Sequence, residues 1–148
     1  MEITVRKAQI ADAEAVGALL TELGYPTGKR QARGRLERLI AEPATAVFIA
    51  EDSAAGGVVG LTGVRAESLL EHDQPSARLL ALVVAEPSRR RGVARALVEA
   101  AEAEARRLGC FRIVLTSADH RDDARAFYLA AGYEQTGRRF AKDLVPAA

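Results

Sequence analysis

Apolar positions along the chain switch between a two-residue repeat and a three-to-four-residue repeat, and each switch marks an element. Ile3 and Val5 alternate with polar neighbours, which predicts a strand over 2–7. Asp12 then precedes Ala15, Val16, Leu19, Leu20 and Leu23, the spacing of one helical face, with Gly24 placed to close the helix. Residues 25–28, Tyr-Pro-Thr-Gly, read as a loop. Leu36, Leu39 and Ile40 form one face of a second helix, with Arg30, Arg33, Arg35 and Arg38 mostly outside and Pro43 as its stop. Apolar runs over 46–50 and 58–64 flank a turn at 52–57 and predict an antiparallel hairpin. Residues 65–76 are polar and read as a loop or strand end, whereas 78–84 is the most apolar run and predicts the sheet centre. A long helix is expected over 92–108 with Val93, Leu97, Ala101 and Leu108 inward, then a buried strand over 111–115. Asp122 or Asp123 can cap a helix carrying Ala124, Phe127, Tyr128 and Ala131 and ending at Gly132. A last pair of strands, 133–136 and 139–144, is expected around Gly137. This order predicts an α/β fold, a mixed and mostly antiparallel sheet of about seven strands flanked by about four helices, in one domain over 1–148.

Composition narrows the chemistry. With 21 Lys and Arg against 20 Asp and Glu the net charge is +1, which argues against a dedicated nucleic-acid binder. Cys110 is the only cysteine, so no disulfide forms within the chain; a lone thiol suits a reducing compartment, and its place at a strand entrance reads as packing. Two histidines, His72 and His120, without a Cys/His cluster make a zinc site improbable. The N-terminal residues lack the apolar stretch of a signal peptide, and no apolar run approaches the roughly 20 residues of a membrane helix. The expectation is a cytoplasmic protein with no membrane and no metal.

The informative stretch is 82–94, Leu-Val-Val-Ala-Glu-Pro-Ser-Arg-Arg-Arg-Gly-Val-Ala. A buried strand runs into a short basic turn, and the turn opens the longest helix. The first amides of a helix have no intrahelical acceptor and carry the positive end of its dipole. Gly92 and Ala94 leave the backbone approachable, and Arg89, Arg90 and Arg91 add charge. This describes an anion site fitted to phosphate or pyrophosphate. Neither a Walker Gly-Lys-Ser/Thr ending nor the dinucleotide glycine pattern is present, so ATP and NAD are not favoured. As an isolated feature, an arginine triplet describes a solvated turn more readily; its place between a central strand and a helix N-terminus weakens that reading.

With Arg89, Gly92 and Ala94 matching Arg/Gln-x-x-Gly-x-Gly/Ala, the chain resembles the GNAT superfamily of N-acetyltransferases. A second match follows, where 124–133, Ala-Arg-Ala-Phe-Tyr-Leu-Ala-Ala-Gly-Tyr, is similar to the family's Ala-x-x-Phe-Tyr-x-x-x-Gly-Phe segment. The resemblance covers nearly the whole chain in element order. It implies acetyl-CoA as co-substrate, with its pyrophosphate on the turn formed by Arg89, Arg90, Arg91, Gly92, Val93, Ala94 and Arg95. It places the pantetheine arm along Leu82, Val83 and Val84. It also implies Tyr128 as the acid that meets the leaving thiolate, although helical spacing alone makes Tyr128 a core residue as readily. Two departures stand out. Glu86 fills a place where the family often has Pro, and Arg121 one where it often has Asn; Arg121 or Arg125 then takes over a pantetheine contact.

The implied reaction is direct attack of a primary amine on the thioester. The alternative is an acyl-CoA sensor of the same fold without turnover. The resemblance places the acceptor, a small-molecule or protein amine, near 23–28 and 135–139, which offers Tyr25 as a substrate contact; Glu67, in the polar segment before the apolar strand, is the second substrate-binding candidate. Residues 78–84 contain no Asp, Glu or His, so no single general base is expected. Nucleic acid is not an expected partner, and a homodimer is left open.

Overall fold

A computed structural model describes residues 2–117 and 122–146. The chain divides into two compact units, Met1–Leu115 and Thr116–Ala148. In the first, β1 (Ile3–Lys7), α1 (Ala13–Leu23), α2 (Lys29–Ala41), β2 (Thr45–Asp52), β3 (Gly57–Glu67), β4 (Ser76–Val84), α3 (Val93–Arg107) and β5 (Ile113–Val114) follow in that order. Short 3-10 turns precede α1 at Ile10–Asp12 and follow β4 at Glu86–Ser88. The second unit holds α4 (Asp122–Ala130).

The sheet runs β1-β2-β3-β4-β5. The first four strands are antiparallel neighbours, and β5 joins β4 in parallel. Short connections make β2, β3 and β4 antiparallel in turn, β1 pairs antiparallel with β2 although α1 and α2 intervene, and the return to β5 passes through α3, as a parallel crossover requires. Side-chain alternation decides which helix covers which face. Val47, Ile49 and Leu61 pack with Val16, Leu19, Ala32 and Leu36 of α1 and α2. The neighbouring position, Gly60, faces the other way, and a Cβ placed there would stand 2.8 Å from Leu97 and 3.1 Å from Val93 of α3. Glycine at 60 thus lets α3 lie close on its face of the sheet.

Several boundaries differ from the sequence reading. The expected final strand pair is absent among the described residues, which leaves five strands rather than about seven: 133–146 carries no strand. Glu134, Gln135, Arg138, Arg139, Lys142 and Asp143 offer no alternating apolar face there to bury. The strand expected over 111–115 shrinks to Ile113–Val114, with Phe111 exposed. Ile40 is exposed and Ala32 takes its place beside Leu36 on the inner face of α2. Conversely β3 extends through Glu67, because Arg65, Ala66 and Glu67 pair with Arg78, Ala77 and Ser76. Gly24 closes α1 in the left-handed region, its amide donating to Leu20 and Thr21. No described helix is long and apolar enough to cross a membrane.

Candidate active site

Three features of the first unit converge around β4. The first is a bulge. Thr62 pairs with Leu82 and Gly63 with Leu80, so Ala81 is the extra residue. The buried Thr62 hydroxyl donates to the Ala81 carbonyl at 2.8 Å, which holds the irregular turn of chain in place. Ala81 itself is exposed although it sits within a strand.

The second is the end of β4. Only Ala77 and Arg78 pair with β5, so Leu79–Val84 has no ladder on the side away from β3 among the described residues. The Ala85 amide donates to Val59 on β3, so by alternation the backbone groups of Val84 point the other way. The Val84 carbonyl accepts from Arg89 Nε at 2.9 Å, and Arg89 also forms an ion pair with Glu22 of α1 at 3.2 Å. The Arg89 amide donates to Glu86. Arg89 therefore ties the turn to β4 and α1, a fixing role that the sequence, read as a triplet of free charges, did not suggest.

The third is the turn into α3. Arg90 has φ 63° and Gly92 φ 82°, both left-handed. Gly92 is the N-cap, and no side chain caps the helix. The first intrahelical bond from this end is donated by Ala96 to Gly92, which leaves the amides of Gly92, Val93, Ala94 and Arg95 without acceptors in the helix. A Cβ on Gly92 would meet no described atom within 4 Å beyond its chain neighbours, so the space beside this first amide is open. Arg90, Arg91 and Arg95 are exposed around it, and no acidic residue lies in the first turn. Donors, dipole and three guanidinium groups fit a pyrophosphate.

Beside the bulge lies a cleft of about 210 Å³ between α1, α2 and the sheet. Leu20, Leu36, Leu39, Leu61 and Leu80 line it, and among the described residues Arg35 is its single charged one, with no carboxylate and no histidine bordering it. Tyr25 is exposed in the loop after α1 and its carbonyl accepts from Thr27 Oγ1; it does not line the cleft. Glu67 sits at the other end of the β3–β4 ladder from Val84, roughly 25 Å of strand away. There it bridges Arg65 and Arg78 at 3.7 and 3.2 Å. The structure does not bring Glu67 together with the turn or the cleft. Glu71, His72 and Asp73 are exposed.

In the second unit, Tyr128 packs edge-on against Phe127 and Tyr133, and burial pushes its phenol up from the usual 10.0. Arg125 is exposed on α4, and Arg121 lies outside the described residues. Cys110 is half-buried and burial raises its thiol pKa, the opposite of an activated nucleophile.

An open mixed sheet with α1 and α2 on one face and α3 on the other, its fourth strand feeding a basic turn at a helix N-terminus, is the GNAT-like α/β architecture. The chain belongs to the acetyltransferase (GNAT) family, whose model matches residues 14–133. It is 36% identical over 89 residues to an aminoalkylphosphonate N-acetyltransferase of Salmonella typhimurium, a match covering 60% of this chain and 58% of that protein. A transcriptional regulator from Bacillus halodurans shares the fold with a TM-score of 0.87 at 20% identity, over 97% of this chain and 100% of that one. An aminoglycoside N-acetyltransferase solved in complex with CoA aligns with a TM-score of 0.84 at 20% identity, over 97% and 96% of the two chains.

Proposed function

We propose that this protein is an acetyl-CoA-dependent N-acetyltransferase that acts on a primary amine by direct attack. The observation that carries the reading is the turn from β4 into α3, where four helix-start amides and open space above Gly92 adjoin a strand end without a ladder. Acetyl-CoA supplies the acetyl thioester. The amides of Gly92, Val93, Ala94 and Arg95, with Arg90 and Arg91, hold its pyrophosphate, and the strand end Leu82–Val84 aligns the pantetheine arm through the outward backbone of Leu82 and Val84, with Val83 tied to β3 between them. The relatives' named acceptors share an amine, and that is the group carried over to this chain.

The acceptor nitrogen lone pair forms the C–N bond while the carbonyl oxygen takes up negative charge. A backbone amide of the bulged β4 stabilises that charge. As the C–S bond breaks, the sulfur receives the proton of the Tyr128 phenol. The raised phenol pKa keeps that proton in place through the neutral range. Among the described residues no carboxylate or histidine lies on the cleft wall, so the proton lost by the amine passes to water, and water returns one to the Tyr128 phenolate.

Calorimetry tests the turn. Gly92→Val puts a branched side chain at φ 82° and fills the space over the amides. Acetyl-CoA affinity is expected to fall at least tenfold in the folded variant. Wild-type affinity there would move the cofactor site elsewhere.

A further inference from the structure

The cleft beside the β4 bulge carries information about the acceptor. Its walls are hydrocarbon from α1, α2, β2, β3 and β4, and among the described residues Arg35 is the one charge on them. Arg35 projects from α2 and is half-buried. One guanidinium nitrogen, Nη1, donates to Thr27 Oγ1 at 3.1 Å. Other arginines of the chain are matched to carboxylates: Arg6 to Asp12, Arg33 to Glu37, Arg65 and Arg78 to Glu67, Arg89 to Glu22 and Arg107 to Glu104. Among the described residues no carboxylate forms an ion pair with Arg35. A guanidinium has five N–H donors, and a single hydroxyl satisfies only one of them. Beside apolar walls, where water is scarce, such a group is stabilised most by an anion that takes two of its donors.

On the reading of this chain as an N-acetyltransferase, we infer that the acceptor is a small amine with a hydrocarbon body and a terminal oxyanion, a carboxylate or phosphonate, that pairs with Arg35. The amine end points to Leu80 and Ala81 on β4, where the thioester is delivered. The anion end points to α2, and the body lies against Leu20, Leu36 and Leu61. A polycationic aminosugar is disfavoured twice: its hydroxyls find no polar partners on these walls, and its ammonium groups meet a cation with no carboxylate to offset it. Arg35 is thus a specificity residue for the acceptor and takes no part in cofactor binding.

The test uses the full chain saturated with CoA, and calorimetric titration with hexylamine, 6-aminohexanoate, 6-aminohexylphosphonate and neamine. At least one of the two anionic amines is expected to bind roughly 10- to 100-fold tighter than hexylamine, the span of a charge-assisted hydrogen bond. In Arg35→Gln that advantage disappears while hexylamine and acetyl-CoA affinities hold; Arg35→Lys restores part of it. The ratio of carboxylate to phosphonate affinity identifies the anion. In the thiol-release assay, Arg35→Gln raises KM for the anionic amine and leaves kcat nearly unchanged. Equal binding of hexylamine and both anionic amines, tighter binding of neamine, or an Arg35→Gln loss shared equally by hexylamine overturns the inference. Acetyl-CoA binding measured alone separates the two readings. If acetyl-CoA does not bind but an anionic amine does so through Arg35, the acetyltransferase reading fails and the assignment of the cleft stands.

Discussion

Asp12 shows how one residue can join several parts of the chain. Its carboxylate receives two bonds from Arg6 of β1, both 2.9 Å, and one from the Gln9 amide at 2.7 Å, at the point where the chain turns into α1. The Arg6 guanidinium, ahead of the Gln9 amide, holds the Asp12 carboxyl below its usual 3.8 despite burial. A folded-state pKa below the unfolded one means the folded form binds fewer protons. The contribution is therefore complete above about pH 5 and drains away as pH falls through the depressed value. Asp12→Asn is expected to lower stability by roughly 1–3 kcal/mol at neutral pH. Melting curves of the two proteins should run parallel above pH 5 and converge on acidification below the unfolded carboxylate value. A gap that persists unchanged at pH 2 would assign the loss to packing rather than charge. The composition announces none of this, since Arg6 and Asp12 are ordinary surface residue types and only the fold brings them together.

At the level of elements, Gly60 sets how closely α3 lies on the sheet. A Cβ there would stand 2.8 Å from Leu97 Cδ1 and 3.1 Å from Val93 Cγ1, and Val93 begins the helix whose N-terminus is the proposed phosphate site. Gly60→Ala therefore forces a shift. The expected cost is about 1–3 kcal/mol in chemical denaturation, accompanied by weaker acetyl-CoA binding because the helix start moves. A stable variant with unaltered affinity would show that Leu97 yields without moving α3. Elements with strong periodicity were legible in the sequence: α1 with its Gly24 cap, the β2–β3 hairpin, and the strand–turn–helix at 82–94. Those that depend on pairing were not. The β4 bulge at Ala81 leaves no trace in an apolar run, because its cause is the Thr62 hydroxyl on the neighbouring strand. The strand expected at 111–115 fell to two residues because ladder partners, not apolar content, set strand length. The cleft was missed for a similar reason. Arg35 is one of four arginines on α2 that read alike, and only the helix's seat on the sheet sets it against apolar walls.

Across the molecule, the proposed roles fall on different residues, cofactor binding on the turn that opens α3 and proton transfer on Tyr128 of α4. Affinity and turnover should then separate by mutation. Tyr128→Phe retains the ring contacts with Phe127 and Tyr133 and removes the acidic proton. It should reduce kcat about 10- to 1000-fold while leaving the acetyl-CoA dissociation constant nearly unchanged. Full turnover in a stable Tyr128→Phe protein would return that side chain to a packing role. Beyond Arg78, β4 is in effect an edge strand, bordered on one side by β3 and on the other by no strand among the described residues. Sheet edges of this kind template the addition of foreign strands, and proteins usually blunt them with charge, proline or a bulge. Here Ala81 supplies the bulge and Arg89 covers the Val84 carbonyl, and the intervening backbone is where the proposed function puts the pantetheine arm. On the proposed function, the ligand that delivers the acetyl group would also cap this edge, and light scattering is then expected to show more self-association without CoA than with it.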